Sequence, residues 1–227
     1  MTEDLLEHGI AGLGLKLSNA NIEDLELFLQ EMSRWNQVHN LTAIEGEHDS
    51  VRLHLIDSIA VLPIMRRYLQ MSSPKIADLG SGGGLPAIPI AIIQSDWHLV
   101  LIEAIRKKTA FLQHIRGKLK LKNIDVLADR VENVAMQQSG QFDAVISRAF
   151  TNLSRFLELS LPLLKSDGIV FAMKAKRAEE ELSAVCKDDW QLLADEALCI
   201  PNLSVERRLL VLSPVRKSTS TISSELT

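Results

Sequence analysis

Cysteine is scarce in this chain of 227 residues, which carries only Cys186 and Cys199. They form no Cys-x-x-Cys pair and have no histidine at ligand spacing, which excludes a disulfide framework and a zinc site. Long apolar runs are also missing. The longest, Leu85 to Ile93, has nine residues and two prolines, whereas a membrane-spanning helix needs about 18. The sequence therefore predicts a fold held together by packing, with no transmembrane helix.

A strong excess of charge of one sign is absent too, because 25 Lys and Arg against 29 Asp and Glu leave a net charge of −4. This balance argues against indiscriminate binding to polyanions but leaves a local basic surface possible. Glu3, Asp4 and Glu7 lie where a secretory signal would carry Lys or Arg, so a cytoplasmic location is expected. The content of 46% hydrophobic and 24% charged residues is typical of folded proteins.

The first seventy residues have helical periodicity. Apolar residues at steps of three and four predict an amphipathic helix from Ile22 to Trp35, which Asn19 or Asn21 could cap. A second helix is predicted from Asp49 to Leu69, with a break or restart at Pro63. We expect residues 1–72 to form a helical extension packed on the core.

After Ser72-Ser73-Pro74, short β-rich runs alternate with helical ones, a pattern typical of βαβ units and a mostly parallel sheet. The predicted strands are Lys75 to Leu79, His98 to Glu103, Ile124 to Asp129, Phe142 to Arg148 and Gly168 to Lys174, followed by an antiparallel edge hairpin of Trp190 to Ile200 and Arg207 to Ser213. The predicted helices are Pro86 to Gln94, Lys107 to Leu119, Asn152 to Leu163 and Ala178 to Lys187. The fold class is thus α/β, with a Rossmann-like domain over residues 73–213 and a disordered tail over 214–227.

A glycine turn follows the first strand, in the sequence Asp78-Leu79-Gly80-Ser81-Gly82-Gly83-Gly84-Leu85-Pro86. Pro86 suits the first position of a helix, because its missing N–H would be unpaired there. A turn alone would need one or two glycines, and four in five positions favour a ligand lying against the backbone at Gly80, Gly82 and Gly84.

The ligand is predicted to contain adenosine. Glu103 ends the second strand, where a carboxylate accepts hydrogen bonds from a ribose diol. The dinucleotide fingerprint fails, since Leu85 replaces its third glycine. Asp78 before the turn and Asp129 at the end of the third strand favour S-adenosylmethionine, and the Asp-x-Gly-x-Gly turn resembles motif I of class I methyltransferases.

A narrower resemblance extends over about residues 20 to 213. The glycine turn with Ala87-Ile88-Pro89, and also Trp35-Asn36, Asn40-Leu41-Thr42 and His54-Leu55-Ile56-Asp57-Ser58, resemble the ribosomal RNA small subunit methyltransferase G family, also called glucose-inhibited division protein B. Lys107-Lys108, Phe111-Leu112, Arg130-Val131-Glu132 and Ser147-Arg148-Ala149 follow in the family order. The departures are Gly83, Ala87 and the polar tail, and the first two are small residues that leave the site intact.

This resemblance implies a class I, S-adenosylmethionine-dependent methyltransferase with a seven-stranded sheet. Its expected reaction is methyl transfer to N7 of a guanosine near position 527, in the 530 loop of 16S rRNA. The cofactor contacts carried over by matching position are Gly80, Leu85, Val131, Glu132 and Arg148. The expected partner is 16S rRNA or the small ribosomal subunit, with no membrane and no metal, and the chain is expected to be a monomer.

The residues themselves narrow the reaction further. Amino-group methylation usually uses an Asn/Asp-Pro-Pro-aromatic loop after the fourth strand, where this chain has Ser147-Arg148-Ala149-Phe150. Carbon-5 methylation of pyrimidines needs a cysteine nucleophile, and both cysteines lie late in the chain. Guanine N7 has a free lone pair and needs no general base, so the rate is expected to come from positioning.

Four side chains have both a functional and a structural interpretation. Arg148 could hold the cofactor carboxylate, a phosphate or guanine O6, or could form an ion pair. His54 and Asp57 share one helical face and could bond to each other or reach the nucleotide. No catalytic residue is assigned, and these three are the candidates. Trp35 could stack on a base, but its place on an apolar stripe favours core packing.

Arg106, Lys107 and Lys108 open the helix after the second strand, where the helix dipole disfavours cations, which suggests a bound RNA phosphate. Solvent screening and neighbouring carboxylates are the alternative. A wider basic rim could include further residues, namely Arg66, Arg67, Lys118, Lys120, Lys122, Lys174, Lys176 and Arg177.

Three other functions remain open from the sequence. A methyltransferase of the same fold could act on another RNA, a protein or a small molecule, because only the acceptor site would differ. A non-catalytic RNA-binding assembly factor is disfavoured by the intact glycine turn. A nicotinamide-dependent dehydrogenase is disfavoured by Leu85.

Overall fold

A seven-stranded sheet forms the centre of the protein, within the residues that the computed structural model describes: 2–41, 50–175, 178–198, 200 and 206–215. The strands are β1 (Lys75–Leu79), β2 (His98–Ile102), β3 (Ile124–Leu127), β4 (Phe142–Arg148), β5 (Leu164–Lys174), β6 (Trp190–Ala197) and β7 (Arg208–Pro214). The strand order is β3-β2-β1-β4-β5-β7-β6, with β1 to β5 parallel and β7 antiparallel to both of its neighbours. The predicted α/β class and the mostly parallel sheet are confirmed.

Helices cover both faces of this sheet. They are α1 (Thr2–Gly12), α2 (Asn19–His39), α3 (Asp57–Ile59), α4 (Leu62–Tyr68), α5 (Ala87–Ile93), α6 (Arg106–Lys118), α7 (Val131–Gln137), α8 (Leu153–Ser160) and α9 (Ala178–Ser183), with a π-helical turn over Val51–Ile56. The break expected near Pro63 is confirmed, because Pro63 lies in the first turn of α4. None of the helices in the described residues has the length and apolar character that a membrane span requires.

The cap of α2 differs from the prediction. Ser18, rather than Asn19 or Asn21, is the N-cap residue, and its hydroxyl accepts a hydrogen bond from the Asn21 amide at 3.2 Å. The Asn21 side chain in turn accepts from the Ser18 amide, which completes a capping box. The helix therefore begins three residues before the apolar stripe that signalled it.

The N-terminal helices share a core with one face of the sheet. Phe28 on α2 lies 6.3 Å from Phe111 on α6, measured between ring centroids, and both side chains are fully buried. Asn21 donates to the main-chain oxygen of Ile92 at 2.7 Å. Trp35 lies 5.6 Å from Phe111, so the prediction that it packs in the core is confirmed. These contacts hold α2 against α5 and α6.

Six strand ends differ from the predicted bounds: β5 begins at Leu164, β6 ends at Ala197, β7 runs from Arg208 to Pro214, and β2 and β3 end earlier than predicted. β3 ends at Leu127, so Asp129 lies two residues beyond the strand instead of ending it. β2 ends at Ile102, one residue before Glu103. β7 lies inside the sheet between β5 and β6, so only β6 of the predicted hairpin is an edge strand. Pro214 belongs to β7, and the rest of the predicted tail, from residue 216 on, lies outside the described residues.

The sheet order locates the place where a ligand would bind. β1 has β2 on one side and β4 on the other, so the chain reverses its direction of strand addition between β1 and β4. In open α/β sheets, ligands bind at the carboxyl ends of the strands beside such a reversal. The glycine turn after β1 and the segment after β4 both lie there.

Candidate functional site

The backbone of the glycine turn accounts for three of its four glycines. Gly80, Gly82 and Gly84 have φ values of +67°, +58° and +83°, a region that residues with a side chain rarely adopt. Four glycines in five positions therefore imply a ligand less strongly than the sequence alone suggested. The space around each glycine is more informative than their number.

A Cβ atom would meet a different neighbour at each of these positions. At Gly80 it would collide with the ring of Phe150, and at Gly84 with the side chain of Ile88. At Gly82 it would meet only the main-chain oxygen of Gly80, at 3.8 Å. Gly82 is therefore the glycine of this turn at which a ligand could approach the backbone. Pro86 is the N-cap residue of α5, one position before the predicted one.

Asp78 is the most unusual group at the site. Its side chain is 1% exposed, and neither carboxylate oxygen has a hydrogen-bond partner among the described residues. Burial raises the pKa of Asp78 to about 8, against the lowering effects of Ser81 and the Arg148 charge. A fully buried carboxyl group without a bond is costly, and a polar ligand would supply the missing donor.

Glu103 connects the glycine turn to the segment after β2. One of its carboxylate oxygens accepts from the Gly82 amide and the other from the Ile105 amide, both at 2.9 Å. The side chain is 6% exposed. Glu103 therefore fixes the conformation of the turn, in addition to the ribose contact that was predicted for it.

The other predicted cofactor contacts lie on neighbouring segments. Leu85 and Val131 are buried, and the Leu85 amide donates to Ser81. Asp129 accepts from the Arg130 amide and the Asn133 side chain, both at 2.7 Å, and so holds the start of α7. The Glu132 side chain is half exposed and pairs with Arg155 at 2.8 Å.

Arg148 is held by the N-terminal part of the chain. Its Nη1 donates to the main-chain oxygen of Leu53 at 2.7 Å and to Asp57 at 3.0 Å. Asp57 also accepts from Arg207 at 3.2 Å, so this buried carboxylate lies between two guanidinium groups. Arg148 therefore does form an ion pair, with a buried carboxylate instead of at the surface as expected, while a contact with a cofactor stays a prediction.

His54 lies one helical turn before Asp57 but does not pair with it in the described hydrogen bonds. It is 1% exposed, and burial together with the Arg148 charge lowers its pKa to about 4. Its imidazole is therefore neutral near pH 7. Burial also keeps His54 and Asp57 from direct contact with solvent.

The predicted basic residues lie at several separate places in the structure. Arg106, Lys107 and Lys108 form the first turn of α6, next to Glu103 and the glycine turn, and no carboxylate of the described residues forms an ion pair with them. Lys118 ends α6, about 15–18 Å along the helix from this first turn at 1.5 Å per residue, and Lys120 and Lys122 lie just beyond it. Arg67 pairs with Glu196 and Lys174 with Glu181, whereas Lys176 and Arg177 lie outside the described residues. The basic side chains that the structure describes therefore do not form one continuous rim.

Two residues at this edge of the sheet were not predicted. Phe150 covers Gly80, and Arg207 binds Asp57 from a position 150 residues later in the chain. The sequence signal for Phe150 was its place two residues after the fourth strand, whereas Arg207 required the position of β7. Within the described residues, no group of three His, Cys, Asp or Glu side chains is placed to hold a metal ion.

Known proteins are similar to this chain in sequence over most of its length. A model of the family described as rRNA small subunit methyltransferase G, or GidB, matches residues 21–211. A ribosomal RNA small subunit methyltransferase G from Polynucleobacter asymbioticus is 77% identical over 217 residues, which cover 96% of this chain and 98% of that protein. The protein of that name from Azoarcus sp. is 41% identical, with 92% of this chain and 94% of that protein covered.

Solved structures share the fold at low sequence identity. A protein from Methanococcus maripaludis, described as an S-adenosyl-L-methionine-dependent methyltransferase, aligns with a TM-score of 0.56 at 14% identity, over 75% of this chain and 91% of that one. TYW2 of P. horikoshii in complex with MeSAdo aligns with a TM-score of 0.51 at 14% identity, over 89% of this chain and 65% of that one. These alignments support the Rossmann-like architecture.

Proposed function

The chain belongs to the rRNA small subunit methyltransferase G family, and from this membership we propose that it transfers a methyl group from S-adenosylmethionine to N7 of a guanosine in the 530 loop of 16S rRNA. The observation that carries the donor assignment is the buried carboxyl group of Asp78, whose oxygens have no partner among the described residues, beside open space at Gly82. A cationic, hydrogen-bonding ligand fits both features.

The residues that would hold the donor come from the carboxyl ends of β1 to β4 and the segments that follow them. Asp78, the last residue but one of β1, and Glu103, just after β2, would accept hydrogen bonds from its amino and ribose groups, and Gly82 would leave room for its approach. Gly80, Leu85, Asp129, Val131, Glu132 and Arg148 complete the proposed set. When bound, S-adenosylmethionine supplies a methyl group on a positively charged sulfur, which makes that carbon electrophilic.

Positioning is the proposed source of the rate. Guanine N7 carries an in-plane lone pair and no proton, so no proton has to be removed from it before it attacks the methyl group. His54 is buried and neutral, and Asp57 is buried between Arg148 and Arg207. Because N7 carries no proton, neither side chain is needed as a base, and holding the acceptor at attack distance can lower the barrier by several kcal/mol.

The RNA would reach this edge of the sheet along the first turn of α6. Arg106 and Lys107 are exposed there and Lys108 is partly exposed. We assign these three cations to phosphates of the rRNA backbone, which would bring the acceptor near the glycine turn. A monomer bound to 16S rRNA or to the small subunit, in the cytoplasm, is the proposed working form.

The test is a mass analysis of 16S rRNA fragments from cells that lack the gene. We expect the loss of one methyl group from a 530-loop guanosine, and its return when the wild-type chain is expressed. Alkaline borohydride and aniline cleavage at that position would identify N7 as the modified atom. A fragment of unchanged mass would contradict the substrate assignment.

Calorimetry with S-adenosylmethionine tests the donor site separately. Loss of a charged hydrogen bond costs about 1.5–3 kcal/mol, so Glu103→Ala is expected to weaken binding by about ten- to a hundredfold. Glu103→Gln keeps an acceptor for one main-chain amide and should fall between this variant and the wild type. Equal dissociation constants for all three proteins would move the ribose contact away from Glu103.

A further inference from the structure

Phe150 is a large apolar side chain in an unusual place. It lies two residues after β4, at the edge of the sheet where the donor is proposed to bind, and it is 36% exposed. The inner part of its ring fills the space that Gly80 leaves open. Aromatic rings are normally buried, because their exposure to water is unfavourable. An exposed ring beside a binding turn therefore suggests contact with a ligand.

The backbone on both sides of Phe150 is held in place. On the β4 side, the Ser147 hydroxyl donates to the Leu79 oxygen at 2.9 Å, and Arg148 is bound as described above. On the other side, the Lys174 ammonium donates to the Thr151 oxygen at 2.8 Å, and the Leu153 amide donates to Glu181 at 2.6 Å. The ring is therefore presented from a fixed segment.

Ala149, between these two anchored stretches, has a φ of +54°. This left-handed conformation is unfavourable for alanine, because its Cβ approaches the following carbonyl group. Strained backbone of this kind persists where the surrounding structure enforces it, and such residues cluster at functional sites. Here the conformation directs Phe150 over the glycine turn.

We propose that Phe150 is a positioning residue on which the acceptor guanine stacks, and that the face of its ring attracts the positive charge which the base gains during methyl transfer. This inference rests on the proposed function. As the bond between N7 and the methyl carbon forms, the bond from that carbon to sulfur breaks and its electron pair stays on sulfur. The sulfonium becomes a neutral thioether, and its positive charge passes to the guanine.

An aromatic face attracts a cation more than a neutral group. Phe150 should therefore interact more strongly with 7-methylguanine than with guanine. The part of the stacking that is common to both bases lowers KM, and the part that appears only with the charge raises kcat. If the ring only filled space above Gly80, its removal would change neither the preference for 7-methylguanine nor the values of KM and kcat.

Two variants separate these roles in the full-length protein. Phe150→Leu keeps an apolar side chain over Gly80 but removes the aromatic face, whereas Phe150→Tyr keeps the face. Met136→Leu, at an exposed position of α7, is the control for effects of substitution and purification that are unrelated to the site. Both Phe150 variants should unfold within about 3 °C of the wild type, because the ring is partly exposed.

The first measurement is binding of a short RNA stem-loop with either guanosine or 7-methylguanosine at the acceptor position, in the presence of S-adenosylhomocysteine. Wild type, Phe150→Tyr and Met136→Leu should prefer the methylated RNA by about two- to thirtyfold. Phe150→Leu should bind both RNAs with nearly equal affinity.

The second measurement is single-turnover methylation of 16S rRNA at saturating RNA. Phe150→Leu should lower the rate by a similar factor, with the dissociation constant of S-adenosylmethionine within about twofold of wild type. Unchanged RNA preference and rate would overturn the inference, as would a large loss of donor binding, which would assign the ring to the donor. Transfer by the wild type to an atom other than N7 would overturn the proposed function and this inference together.

Discussion

At the scale of single residues, Asp78 links the site to pH. Its pKa is raised from 3.8 to about 8, first by burial and then by the nearby Glu103 charge. The folded protein therefore binds more protons than the unfolded chain between these two pH values. The contribution of Asp78 to stability is full below pH 3.8 and is lost as the pH rises to about 8.

Asp78→Asn should remove this dependence, because the amide does not ionise. We expect the variant to gain stability relative to wild type between pH 5 and pH 8, by at least the roughly 1.4 kcal/mol that corresponds to one pKa unit. Urea unfolding at both pH values measures the difference. His54, with its lowered pKa, acts in the opposite direction between about pH 6.5 and 4, so only the difference between the two proteins is diagnostic. Parallel stability curves would contradict the assignment.

Gly82 allows a sharper test of the turn. Gly82→Val places a side chain in the open space at a φ of +58°, so it should abolish binding of S-adenosylmethionine and cost about 1–2 kcal/mol of stability. Gly14→Ala is the matched control, since Gly14 has a φ of +69° and no atom near its Cβ position. The control should lose similar stability and bind normally in calorimetry. Normal binding by Gly82→Val would move the donor elsewhere.

At the scale of elements, the first turn of α6 is the feature with a functional consequence. Its N-cap residue, Ile105, has no capping side chain, its amide donates to Glu103, and three cations follow it. Cations at a helix N-terminus are unfavourable unless an anion compensates them. A phosphate there would be bound by both the side chains and the helix end.

The triple change of Arg106, Lys107 and Lys108 to alanine should weaken binding of 16S rRNA and flatten its dependence on salt. Each lost phosphate contact reduces the slope of log K against log salt by roughly one. Filter binding at several salt concentrations measures this slope. Replacing Lys118, the last residue of α6, together with Lys120 and Lys122 just beyond it removes the same charge and should leave the slope nearly unchanged. Equal slopes for both triple variants would assign the first turn to solvent.

Most elements could be predicted from the sequence because their apolar pattern continues over enough residues and turn-forming residues mark their ends. β1 and β4 have the predicted bounds, since each is a short, mostly apolar run. Helix α7 was missed, and α1 was covered only by the general expectation of a helical extension over residues 1–72. α7 spans seven residues with two buried side chains, Val131 and Val134, which is too short for a helical period to emerge.

At the scale of the whole molecule, Asp57 joins three distant parts of the chain. It lies in the N-terminal helices and binds Arg148 at the end of β4 and Arg207 just before β7. Its side chain is 2% exposed, while each arginine is about one-fifth exposed. Removing one member of a buried ion pair leaves the other charges without compensation.

Asp57→Ala should therefore cost about 3–5 kcal/mol of unfolding free energy, measured with urea. Glu196→Ala is the matched control, because its pair with Arg67 is largely exposed and should contribute less than about 1 kcal/mol. If both variants lose the same small amount, Asp57 does not hold these parts together.

Residues of the site could be predicted where their signal is local in the chain, and not where it depends on distant contacts. The glycine turn, Glu103 and the cations of α6 could be found because the signals are local in the chain. The partners of Arg148 could not, since Asp57 is 91 residues away and Arg207 lies on the far side of a hairpin. The conformation of Ala149 and the position of Phe150 depend on contacts from β5 and α9, which no local pattern contains.

The position of β7 also determines the order in which the sheet is completed during synthesis. β5 and β6 both pair with β7 in the described residues, and β7 is the last of the three to be made. Because translation proceeds from the N-terminus, β6 leaves the ribosome before its partner exists, and the edge of β5 stays open until residues 208–214 arrive. A stop codon before Arg208 would therefore remove two strands from the sheet instead of one.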